Sequence, residues 1–95
     1  MIQRDGERMS VSGAVTLGNV AALLEEGRRL LGEGVRTVDL GGVGELDSAL
    51  LALLFAWVRE AKSRGHELAF ANLPKAAGTI AKLYGVQSLL PVAAR

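Results

Sequence analysis

Two hydrophobic periods take turns along the chain. Arg8-Met9-Ser10-Val11-Ser12-Gly13-Ala14-Val15 alternates polar and apolar residues, as a strand with one face in a core does. Val20, Leu23, Leu24, Leu30 and Leu31 then recur at helical spacing, with Asn19 placed to cap the helix and Gly32 and Gly34 to stop it. The β-branched run 35–40 predicts a second strand, closed by Gly41-Gly42-Val43-Gly44 as a flexible turn. A second helix is expected from Asp47 or Ser48 to Arg64, where Gly65 ends it. Residues 67–71 read as the next strand, with Leu68 and Phe70 on one face. Pro74 opens a shorter helix reaching Tyr84, Gly85 stops it, and Leu89-Leu90-Pro91-Val92 forms a tail. Strands joined by helical crossovers pair in parallel. The expected fold class is therefore α/β, one domain over residues 1–95, with a mixed, mainly parallel sheet of about four strands and helices packed on it.

The second helix carries the most information. At about 100° per residue, Leu50, Leu54, Trp57, Val58 and Ala61 fall on one face as a core stripe. The opposite stripe is Ser48, Ala52, Phe55 and Arg59, with Ala56 beside it. A helix that covers a sheet normally shows charge on its outer side. Here the first turns show alanine and an aromatic, and charge returns only at Arg59, Glu60, Lys62 and Arg64. Small residues let another backbone come close, and Phe55 supplies an anchor that would otherwise stand in water. The N-terminal half of this helix thus reads as a surface for a partner protein. Cover by another part of the chain, such as the tail, accounts for the same pattern, and so does pairing with a second copy.

Ser48 opens that stripe. As an N-cap, its hydroxyl accepts a bond from a helix N–H. As a phosphorylation site, it would sit at the positive end of the helix dipole and put about two negative charges into the patch, expelling the partner. With Asp47 as the cap instead, Ser48 points outward and the two readings are compatible.

Composition narrows the function. The 95 residues are 49% apolar and 22% charged, enough for one core and not two, with no disordered tract. Eleven basic and ten acidic residues are interspersed, and no basic run marks a nucleic-acid surface. There is no cysteine, and the N-terminus Met1-Ile2-Gln3-Arg4-Asp5-Gly6-Glu7 is too polar and acidic for an export signal. The longest apolar run, 49–58, is about half of a bilayer crossing. These features point to a cytoplasmic protein that reaches any membrane through a partner.

The chemistry of catalysis is sparse. Nucleophilic catalysis needs a base beside the nucleophile. His66 is the only histidine; it is expected in a surface turn at the opposite end of the second helix from Ser48. Asp39, Glu45 and Asp47 gather near the end of one strand and could suggest a Mg²⁺ site, but loop solvation and capping explain them equally well. The glycine run lacks the Lys-Ser/Thr ending of a phosphate-binding loop and the third glycine of a dinucleotide fingerprint. A small-ligand sensor or enzyme built on the loop 41–47 is the competing class; otherwise no cofactor and no enzyme is implied.

The strand end Val38-Asp39-Leu40, a short loop, Leu46-Asp47-Ser48 and the apolar helix after it resemble the STAS domain signature. That family is shared by bacterial anti-sigma factor antagonists and sulfate transporter tails, and the resemblance covers nearly the whole chain. It implies that Ser48 matches the Ser or Thr that is phosphorylated in the antagonists and lies in their docking surface. Within the family, Ser48-Ala49-Leu50-Leu51-Ala52-Leu53-Leu54 is similar to the helix start of the STAS subunit of Mla-type phospholipid ABC transporters. Ala81-Lys82-Leu83-Tyr84-Gly85-Val86, a leucine-rich stretch and Pro91 resemble that subunit's closing helix and tail. This branch implies a non-enzymatic subunit, peripheral to the inner membrane, that binds the cytoplasmic ATPase through Asp47, Ser48, Ala52, Phe55, Ala56 and Arg59. The alternative is an antagonist switched by an anti-sigma kinase at Ser48. Against the switch, Ala49 and Leu50 stand where the antagonists usually carry Ser-Gly.

Overall fold

In the computed structural model, which describes residues 1–91, the polar N-terminus forms a strand that the hydrophobic pattern did not predict: β1 (Ile2–Asp5). It pairs antiparallel with β2 (Arg8–Val15), Ile2 opposite Val11 and Asp5 opposite Arg8. The two-residue connection starts at Gly6 with φ +65°, the positive value that a hairpin between right-twisted strands requires. Then follow α1 (Val20–Gly32), β3 (Thr37–Leu46), α2 (Ala49–Ser63), β4 (Ala69–Ala71), α3 (Lys75–Leu83) and a 3₁₀ turn at Gln87–Leu89. The sheet order is β1-β2-β3-β4, with β2, β3 and β4 parallel and β1 alone reversed. This is the mixed, mainly parallel α/β architecture expected.

Register decides which residues meet the helices. Met9, Val38 and Phe70 stand in one row across three strands and are fully buried, and Val11 and Leu40 extend that apolar face. Arg8, Ser10 and Asp39 point the other way, towards solvent. Leu23, Leu30 and Leu31 of α1 and Leu50, Leu53, Leu54 and Trp57 of α2 close over the apolar face in one cluster. Each such side chain contributes about 1.5–3 kcal/mol when taken from water. Trp57 is at the centre. Its indole N–H donates to the Leu24 carbonyl at 3.3 Å, and its ring lies against Gly27 of α1.

Three local expectations are corrected. The segment 41–44 is not a flexible turn but the continuation of β3, which runs to Leu46. Its register with β2 slips twice, between Ser10 and Ser12 and between Gly13 and Val15, each time leaving one extra residue on β3. Glycine suits such bulges, and a Cβ on Gly42 would lie 3.0 Å from that of Ser12. Asn19 does occupy the cap position of α1, yet its side chain turns away from the helix. Its Oδ1 accepts from the Thr16 N–H at 3.0 Å and its amide donates to the Ala14 carbonyl at 2.8 Å, so it braces the preceding loop. The strand expected at 67–71 shrinks to β4, and the tail runs along its edge, the Pro91 carbonyl accepting the Phe70 N–H at 2.9 Å. The rest of the tail, from Val92 on, lies outside the described residues.

Candidate docking surface

Strand β3 delivers Asp47 and Ser48 to the start of α2, and the two residues divide the work there. One Asp47 carboxylate oxygen accepts the Ala49 N–H at 2.8 Å, while the other accepts the Leu17 N–H from the β2–α1 loop at 3.2 Å. The aspartate thus caps the helix and ties a neighbouring loop to it. Ser48 has helical backbone angles (φ −63°, ψ −14°), makes no capping bond through its side chain, and is exposed. Its hydroxyl is left for solvent.

The stripe expected on the outer side of α2 is only partly outside. Ser48, Ala52 and Arg59 are exposed, while Phe55 and Ala56 are half-buried. Phe55 packs against the hydrophobic core, so it is not the aromatic standing in water that the helical pattern implied. Ala56 faces a groove between α1 and α2, shared with Leu24, Arg28, Arg59, Glu60 and Ser63. The reason is lateral packing: α1 lies along one side of α2 and α3 touches it as well. Leu51 and Leu53, which the stripe left out of the core, are buried for the same reason. A helix apolar on most sides is one flanked on most sides.

Charge marks the far end of this helix. Glu60 bonds Arg28 of α1 at 3.1 Å and Arg64 at 2.8 Å. Burial works against ionisation of Glu60, but these two arginines outweigh it and hold its carboxyl below the ordinary carboxylate range. Arg59 makes no salt bridge among the described residues.

A shallow hollow lies beside the exposed start of α2. Its walls are Leu17 and Val20 on one side and Asp47, Ser48, Ala49 and Ala52 on the other. Leu17 was absent from the sequence reading. The available signal was an isolated leucine within Thr16-Leu17-Gly18-Asn19, a loop where a polar residue is the usual choice.

The remaining candidates disperse. Asp39 is engaged by Arg8 at 2.9 Å, by the Asn72 amide at 3.0 Å and by the Gly41 N–H at 2.8 Å, far from the capping role of Asp47. Among the described residues no three His, Cys, Asp or Glu side chains converge as a metal site would need. His66 is half-buried rather than on the open surface, in a recess with Val58, Lys62, Glu67, Leu68 and Pro91. Among the described residues no helix is long and apolar enough to cross a membrane.

With this geometry in view, the likeness to known proteins is informative. The anti-sigma factor antagonist SpoIIAA in its unphosphorylated form superposes with a TM-score of 0.73 at 12% identity, covering all (100%) of this chain and 88% of that one. A candidate anti-sigma factor antagonist from Thermotoga maritima gives a TM-score of 0.74 at 12% identity, covering 97% of this chain and 83% of the other. At such identities the likeness is one of fold. Comparison with curated protein sequences finds no match. The family model described as "Mlab, STAS domain" matches residues 1–91, and the chain belongs to the STAS domain family.

Proposed function

We propose that this STAS domain is the non-enzymatic accessory subunit that docks on the cytoplasmic ATPase of a bacterial phospholipid-transport ABC complex, with the N-terminal half of α2 as its docking face. Members of the family are in general binding and regulatory domains that act through protein–protein contact. The observation that carries the finer reading is the match to the Mlab-type model over residues 1–91. The choice of face is supported by Ser48 and Ala52, which are exposed, while the fold's own demands are met by Asp47. The subunit would stand at the inner membrane only through its partner.

The test is an affinity pull-down from solubilised membranes of the native host, with wild type and Ala52→Glu as baits. Ala52 is the right position because it is exposed, whereas a charge at Phe55 would also disturb the core. Wild type should retain an ABC ATPase with its membrane subunits, and Ala52→Glu should not, although both melt alike. Retention by the variant would move the docking face elsewhere. Wild type that retains no ATPase would end this reading.

One observation favours a second reading. The Ser48 hydroxyl is exposed and makes no hydrogen bond among the described residues, as suits a kinase substrate. An anti-sigma factor antagonist would yield a Ser48 phosphopeptide from cells and lose its kinase partner in Ser48→Asp. A Ser48→Asp variant that binds like wild type would count against it.

A further inference from the structure

Leu17 is 79% exposed, more than any other large apolar residue described, yet its loop is held firmly. Asp47 fixes the Leu17 N–H, while Asn19 bonds both Thr16 and Ala14. Water has no use for a leucine presented in this way. A partner does, because a loop whose backbone is already held in place loses little freedom on binding. The hollow beside it is lined by Val20, Ala49 and Ala52 as well as by Asp47 and Ser48, so an incoming apolar group would meet apolar surface with polar groups at its edge.

The segments that build this site carry charge of one sign only. From Met9 to Gly27 and again from Thr37 to Val58, the chain contains no lysine or arginine. Those two stretches build the loop, the hollow and the exposed start of α2, and Glu45 and Asp47 stand exposed beside them. A segment carrying acids would be repelled here; one carrying an apolar side chain flanked by lysine or arginine would be drawn in.

Resting on the ATPase-docking reading, we propose that Leu17 is the apolar anchor of the interface, and that the ATPase segment it receives is apolar at its tip and basic at its flanks. Leu17 and the start of α2 then form one surface, joined through Asp47. The two sides of the hollow come from different elements, so the partner reads their relative placement as well as their chemistry.

The same pull-down from solubilised host membranes tests this, with Leu17→Ser, Glu45→Lys and Leu83→Ser added as baits. Leu83 is 78% exposed at the end of α3 and controls for the loss of any surface leucine. Retained ATPase should fall about tenfold or more for Leu17→Ser. It should fall for Glu45→Lys and with rising salt for the wild type, and stay unchanged for Leu83→Ser, while all baits melt within a degree or so of one another. If wild type holds the ATPase and Leu17→Ser holds it equally well, the anchor is refuted and the docking reading survives. If Leu17→Ser fails but Glu45→Lys binds as well as wild type at every salt concentration, the basic-flank assignment is overturned. If wild type itself holds no ATPase, the docking reading falls and this inference falls with it.

Discussion

Gly27 lies in the middle of α1, where glycine costs about 1 kcal/mol relative to alanine. Alanine nevertheless does not fit. A Cβ there would collide with the Trp57 indole at Cε2 and Nε1, and that ring is fully buried among the core side chains. Close packing between the helices therefore outweighs helix propensity. Gly27→Ala is expected to destabilise the domain by about 1–3 kcal/mol, the usual cost of overpacking, read as a lower urea midpoint. In a Trp57→Phe background the penalty should shrink, because the indole atoms that clash are gone. Equal penalties in both backgrounds would place the cause elsewhere. Trp57 was legible as a core residue because its neighbours on α2 share its face. Gly27 was not, because its reason lies on a different helix.

At the scale of elements, the start of α2 is the instructive case. Asp47 should account for the cap and Ser48 for none of it. Asp47→Ala is expected to cost about 1 kcal/mol, while Ser48→Ala should stay within about 0.5 kcal/mol of wild type in chemical denaturation. A comparable loss from Ser48→Ala would mean that the serine hydroxyl does cap the helix in solution. The order of helices and parallel strands could be read from the chain, since each announces itself by a period and a stop. The split between a capping Asp47 and an outward Ser48 was one of two readings the sequence left open, the other having Ser48 as the cap. The orientation of Phe55 and Ala56 could not be read, because it depends on where α1 settles beside α2. Strand β1 and the far half of β3 were hidden for a related reason: polar edge residues and glycines carry no alternation, and their strand character comes from the partner they pair with.

For the whole molecule, Asp39 is a junction on the uncovered face of the sheet. It draws together Arg8 from β2, the Gly41 N–H of its own strand and Asn72 just beyond β4. Hydrogen bonds from Asn72, Gly41 and Arg8, in that order, hold its carboxyl down from 3.8 to about 2. A carboxylate with a lower pKa in the folded chain stabilises the fold above its unfolded pKa, and that contribution fades as acid protonates it. With its side chain 24% exposed, Asp39 should supply at most about 2 kcal/mol near neutral pH, lost progressively between about pH 4 and pH 2. Asp39→Ala should be less stable near neutrality and show a flatter decline across that acid window. Parallel stability curves for the two proteins would assign the acid sensitivity to other carboxylates.

The division of labour between Asp47 and Ser48 also has a meaning for how such domains diverge. One residue answers to the integrity of the chain; on the proposed docking reading, the next answers only to what the chain meets. A lineage can exchange Ser48, Ala52 or Leu17 without endangering the fold, so long as Asp47 keeps helix and loop together. Choice of partner can then drift far faster than architecture, and the same backbone can serve unrelated pathways after few changes. A shared fold at 12% identity is the outcome such a separation permits.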